Sequence, residues 1–175
     1  RRTSGLDEKA GLEEAKGRVS LFGQRFWLAH HVEFVSLRRK LEEIMGRAAN
    51  GFVYREGEQT GAAYTRFIES KFRRDLERLS ALDRFRFYLD WLSRIGYGRF
   101  RVEAFDERAH SASVALEDGI EAESYGEASA PVCFTTAGIL GHVAGILCNC
   151  TVLTTETECR AAGSAHCEFK IRPMG

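Results

Sequence analysis

Proline is scarce, with Pro131 and Pro173 the only two in 175 residues. No Pro-rich linker, low-complexity tract or internal repeat divides the chain, so one continuous domain is expected after an N-terminal arm, with the arm at 1–18 and the domain at 19–175. A surplus of either charge is also missing. Lys and Arg number 25, as do Asp and Glu, and no net field draws such a chain to a phosphate backbone or an anionic surface. Direct nucleic-acid contact and membrane association are therefore not expected. The longest apolar run, around residues 132–153, is broken by Gly, His, Asn and Thr, and falls short of the roughly 18 uncharged apolar residues that a spanning helix needs. No basic-then-apolar leader opens the chain, and a start at Arg1 with an end at Gly175 suggests a segment of something longer. P-loop, H-E-x-x-H, Ser-His-Asp and strand-borne G-x-G-x-x-G patterns are all missing, which argues against an enzyme.

Cysteine is absent from the first 132 residues, and then five occur between positions 133 and 167. A disulfide framework spreads its cysteines along a chain and uses an even number. The clustering instead predicts a reducing, cytoplasmic setting with metal-binding or buried thiols.

What the sequence does contain is alternating helical and strand patterning. Residues 1–15, rich in Glu and Lys, read as a frayed arm or a short solvated helix. Residues 19–22 and 26–30 read as two strands around Gly23-Gln24-Arg25. Phe34, Leu37, Leu41 and Ile44 recur at helical spacing, predicting a helix over 33–45 that buries this stripe. Residues 48–56 and 62–79 read as a helix pair that changes direction at Gly57 and Gly61. Over 82–95, Phe85 and Leu89 lie on one stripe, and Phe87, Tyr88 and Trp91 lie on another. The second stripe is core, a dimer contact or a cavity wall. A hairpin follows from the alternation of Phe100, Val102 and Ala104 with Ala112, Val114 and Leu116. Ser129 is placed to cap a helix starting at Ala130-Pro131, with Cys133 in its first turn and Gly138, Gly141 and Gly145 along it to about Cys148. Residues 152–158 and 166–171 make a last hairpin. Helices against antiparallel strands make the fold α+β.

The C-terminal third reads C-x22-E-x2-C-x7-C, from Cys133 through Glu156 and Cys159 to Cys167. Three thiolates and a carboxylate are a closed set for a structural zinc, and a helix N-terminus favours Cys133 as thiolate. Such a set carries excess negative charge, for which Arg160 or turn amides are the candidate donors. Glu156 and Cys159, three apart, face opposite sides of a regular strand, so a bulge or a turn has to bring them together. Against this stands the plain reading of free cysteines as small buried apolar groups, which Cys148 and Cys150 fit best. His142 and His166 are other conceivable ligands, though a lone His is more often a hydrogen-bonded core residue.

Pro131-Val132-Cys133, the glycine-bearing helix after it, and Glu156-Thr157-Glu158-Cys159-Arg160 through Gly163 to Cys167-Glu168-Phe169 resemble the 4-vinyl-reductase domain family, the predicted hydrocarbon-binding proteins. More loosely, Val19 through Arg25, Leu37 through Leu41 and Arg55-Glu56-Gly57 resemble the sensor domains of aromatic-responsive bacterial transcription activators. The resemblance implies zinc on Cys133, Glu156, Cys159 and Cys167. It also implies a homodimer whose antiparallel sheet and helices surround an internal cavity for a hydrophobic or aromatic effector, capped by the zinc-braced hairpin and coupled to an output domain that regulates transcription. Phenol-type sensors hold the ligand hydroxyl with a His and a Trp. His110 and Trp91 are available here, in contexts that depart from that pattern. Phe85, Tyr88, Phe100 and Phe134 are the further lining candidates from periodicity. The family name also allows a tetrapyrrole-pathway reductase or pigment carrier, and relatives of the fold serve as vesicle-tethering adaptors that hold a lipid.

Overall fold

The structure is a computed structural model and describes residues 13–15, 18–21, 23–26 and 29–175, with residues 13–15 and 34 described by backbone alone. Three short antiparallel strands come first: β1 (Glu13–Ala15), β2 (Arg18–Leu21) and β3 (Gln24–Phe26), in that spatial order. Gly23, at φ 73°, makes the β2–β3 turn in a conformation that a side chain would resist. β1 falls in the stretch read as a solvated arm. Residues 1–12 and 27–28 lie outside the described residues, and Ala29 and His30 are not in a strand.

Helix α1 (Glu33–Met45) has the expected bounds but turns a different face inward. Val35 and Arg38 are buried, whereas Leu37 and Ile44 are 69% and 80% exposed. The reason is chemical: the wall that α1 meets offers the Glu121 carboxylate, the Val132 carbonyl and the Tyr125 ring, which suit a guanidinium rather than a leucine.

The expected helix pair is one helix, α2 (Ala48–Leu76), whose only non-helical residue is Phe72. Gly57 and Gly61 are not hinges. They are the places where α5 (Phe134–Cys148) crosses. A Cβ on Gly57 would stand 2.2 Å from the Thr135 carbonyl oxygen, and one on Gly138 would stand 2.1 Å from that of Tyr54. The two backbones touch because neither carries a side chain at the crossing.

Helix α3 (Ala81–Arg94) starts at Ser80, whose hydroxyl accepts from the Asp83 N–H at 3.1 Å. Strands β4 (Arg99–Asp106) and β5 (Ser111–Glu117), the short helix α4 (Ile120–Tyr125), then α5, β6 (Val152–Glu158) and β7 (Cys167–Pro173) complete the chain. The second sheet is antiparallel throughout, in the order β4-β5-β7-β6. Helix α5, apolar nearly all round, lies between this sheet and α2 and forms the centre of the core with Phe85, Trp91, Leu116 and Phe169.

Ser129 does not cap α5. The helix starts at Phe134, Cys133 is its cap residue, and no side chain of its own caps it. Carboxylates distant in sequence take over. Glu121 accepts from the Thr135 and Thr136 N–H groups at 3.0 and 2.9 Å, and Glu156 accepts from the Cys133 N–H at 2.7 Å. Both place negative charge where the helix dipole favours it.

Candidate metal centre

Cys133 reaches the centre as the cap residue of α5, Cys167 as the first residue of β7, and Cys159 at the turn that follows β6. Glu156 is brought round by a break in the β6–β7 register between Glu156 and Glu158, which resolves the opposed-face difficulty of the sequence pattern. The three sulfurs and a Glu156 carboxylate oxygen lie within 4.8 Å of one another. The Cys133 and Cys167 sulfurs are 3.7 Å apart. A tetrahedron with Zn–S bonds of about 2.3 Å has edges of about 3.8 Å, so this spacing already suits an ion between them.

All three thiols are buried. Donation to Cys159 and then to Cys167, together with burial, holds the Cys133 thiol well above its ordinary range. Cys159, accepting from Cys133 and Cys167, is driven far below it. Cys167, which accepts from Cys133 and donates to Cys159, ends up raised. The cluster thus has one thiolate clasped by two thiols. Burial pushes Glu156 up to about 7 against the Cys133 N–H that favours its charge.

One carboxylate oxygen of Glu156 is fully employed on Cys133, but the other, Oε1, is buried with no hydrogen-bond partner among the described residues. A buried orphan acceptor is costly, and one facing three sulfurs is the arrangement that a dication satisfies. The donors that the excess charge calls for come from backbone. The Arg160 N–H points at the Cys167 sulfur at 3.4 Å, and a Val132 amide serves Cys159. The Arg160 guanidinium turns outward to Asp118, 3.4 Å away. The residue donor set therefore fits zinc on geometry, orphan acceptor and ligand chemistry.

His142 and His166 stand elsewhere. His142 shares a hydrogen bond with Thr65 at 3.2 Å, and His166 sits near Glu117 and Glu168. Cys148 and Cys150 differ from expectation: they are half-buried and joined in a disulfide, because Asn149 in the left-handed region (φ 50°) folds the chain back and sets their Cα atoms 5.3 Å apart.

The six candidate lining residues are dispersed. Phe85, Tyr88 and Trp91 are closed into the core. Phe85 backs Phe105 with ring centroids 5.8 Å apart, and the Tyr88 hydroxyl meets Glu69 at 3.3 Å. Phe100 is half-buried on β4. Phe134 lines a wide cleft with Tyr54 and Leu153. His110 sits on the rim of a cavity of about 260 Å³ walled by Phe105, Ala112, Ala144, Leu147 and Ile171. Phe105, the alternating β4 position next to the hairpin turn, carried the clearest sequence signal for this wall.

The region that holds this centre can be placed among known proteins. Residues 112–173 match the 4-vinyl-reductase domain. The matched segment covers β5 to β7 and contains all four clustered residues. No curated protein sequence matches the chain. Among solved structures, the phenol-responsive sensory domain of the transcription activator PoxR, with phenol, superposes at a TM-score of 0.77 and 24% identity over 93% of this chain and 84% of that one. A vinyl-4-reductase family protein from Methanocaldococcus jannaschii gives 0.54 and 14% over 86% and 85%. A trafficking protein particle complex subunit 3 from Naegleria fowleri, covalently bound to palmitic acid, gives 0.53 and 12% over 83% and 95%. At these identities what is shared is the fold.

Proposed function

We propose that this chain is a small-molecule sensor domain that binds a compact hydrophobic or aromatic effector, is braced by one structural zinc, acts as a homodimer and regulates a transcriptional output domain. The observation that carries the reading is the buried cluster of Cys133, Glu156, Cys159 and Cys167 in a chain whose fold matches that of a phenol-responsive sensory domain. Zinc held there by four protein ligands leaves no place for a reactive water, so it supplies cross-linking rather than catalysis. It ties the front of α5 to the β6–β7 turn, and both elements lie in the family-matched segment that contributes Ala112, Ala144, Leu147 and Ile171 to the small cavity. At about 260 Å³ this space is at the low end for small-molecule sites and suits a single ring better than a long chain. Occupancy shifts the domain between states by the difference in the effector's affinity for them.

Native mass spectrometry of the purified protein tests the metal: one zinc per chain is expected. Cys159→Ser should lose it and lower Tm by about 10 °C, the shift that a loss of roughly 3 kcal/mol gives a domain of this size. Retained zinc with an unchanged Tm would refute the site. Thermal shift with phenol against palmitate tests the effector class. Stabilisation by phenol alone supports the sensor reading, whereas stabilisation by palmitate alone would favour a lipid-holding adaptor. Reduction of a tetrapyrrole by the protein would overturn the non-enzymatic assignment.

A further inference from the structure

Outside the cluster just described, one more group of soft ligands converges. His110, in the turn between β4 and β5, and Cys148 and Cys150, around the end of α5, place a ring nitrogen and two sulfurs within 4.8 Å of one another. The histidine and the cysteine pair are separated by almost forty positions of sequence and meet only through the fold. His110 is held in the left-handed region at φ 50°. Its turn is ordered by Asp106, whose Oδ1 accepts from the Arg108 and Ala109 N–H groups, both at 2.9 Å. On the other side, Asn149 at φ 50° brings the two cysteines together. Two independent turns are thus shaped to present three ligands to one point on the rim of the small cavity that His110 and Cys148 both line.

We propose that His110, Cys148 and Cys150 form a second metal site for a thiophilic cation, available when the Cys148–Cys150 disulfide is reduced and closed when it is formed. Soft thiolate and imidazole ligands select such ions, and three protein ligands leave an open position, unlike the closed four-ligand set of the first centre. Both sulfur states fit locally. Cys148 Sγ lies 3.6 Å from the Gly145 carbonyl oxygen and 3.7 Å from that of Cys150, acceptors for a thiol. Opening the bond takes two electrons and two protons from a dithiol. Its thiolate attacks one cysteine sulfur, forms a mixed disulfide and then closes its own ring, leaving Cys148 and Cys150 as thiols. Binding the cation then displaces the two thiol protons. Because the ligands sit at the cavity mouth, an ion bound there alters access to it.

The test is cadmium titration, followed by thiolate-to-metal absorbance, of protein reduced with dithiothreitol and desalted without oxygen, alongside protein left oxidised. The quantity read is a difference, so it does not depend on whether the first centre binds metal. Reduced wild type should take up one more equivalent than the Cys148→Ser/Cys150→Ser variant, and oxidised wild type should match that variant. His110→Ala should weaken the extra equivalent at least about tenfold, since even loss of a ligand's hydrogen-bond partner costs that much. Equal uptake by reduced wild type and the double variant, an extra equivalent that persists in the oxidised protein, or unchanged affinity in His110→Ala would each overturn the assignment.

Discussion

Glu121 is almost completely buried, yet it is surrounded by donors: the Thr135 and Thr136 amides, the Thr136 hydroxyl at 2.9 Å and the Arg38 guanidinium at 3.4 Å. Burial raises its pKa against these donors, which favour its charge. Glu121→Ala would strand a buried guanidinium and two helix-end amides, and a loss of about 3–5 kcal/mol is expected from urea unfolding, with Glu121→Gln losing less. Glu156 makes a pH prediction. Its carboxyl moves from an ordinary 4.5 up to about 7 in the folded metal-free protein, so the folded state holds a proton that the unfolded state releases between those values. Stability of the metal-free form should therefore fall as pH rises through that interval, by up to about 3 kcal/mol, while metal affinity should rise, because binding expels protons. Unfolding curves at several pH values, with and without zinc, check both signs. At this scale the Cys133, Glu156, Cys159 and Cys167 grouping was legible, because spacing and residue type carry it. Glu121 was not, since a cap supplied by another element leaves no local pattern, and Ser129 offered a local cap that the fold does not use.

Among the elements, α1, α3, both hairpins and the extent of α5 were readable from periodicity, because each buries one regular face. The glycines of α2 were misread for a definable reason: a glycine that permits a bend and one that admits a neighbouring backbone look identical in one dimension. Substitution separates the two uses. Gly51 lies in the same helix with nothing within 4 Å of an added Cβ, so Gly51→Ala should stabilise by about 0.5–1 kcal/mol through helix propensity. Gly57→Ala gains the same propensity but drives a Cβ to 2.2 Å from the Thr135 carbonyl, a backbone atom at the start of α5 that has no room to yield. A net loss of about 2 kcal/mol or more is expected, with weakened metal retention, because Thr135 adjoins the Cys133 turn. If Gly57 were a hinge, alanine there would be close to neutral. Thermal melts of the two variants decide between these roles.

For the whole molecule, the surface that α1 and the start of α2 turn outward is the feature that the single chain leaves unexplained. Leu37 and Ile44 are mostly exposed, Phe52 is 56% exposed, and Val32 and Met45 lie beside them in sequence with substantial exposure of their own. Periodicity identified Leu37 and Ile44 as a burying face and was right about the pattern while wrong about the partner, since the core side of α1 is taken by Val35 and Arg38. An apolar stripe of helical spacing that faces away from its own core is what a second copy of the chain would cover, as the proposed homodimer requires. Because these side chains touch little of their own chain, Leu37→Glu with Ile44→Glu should leave the fold intact and act on association alone. Sedimentation velocity at micromolar concentration should then give a dimer for the wild type and a monomer for the double variant, with unchanged far-ultraviolet circular dichroism. A variant that still sediments as a dimer would move the interface off α1. Arg38 leaves the inner side of the same helix for Glu121 and the Val132 carbonyl, one residue from Cys133. Monomerisation is therefore also expected to loosen the metal, measurable as faster zinc loss to a chelator.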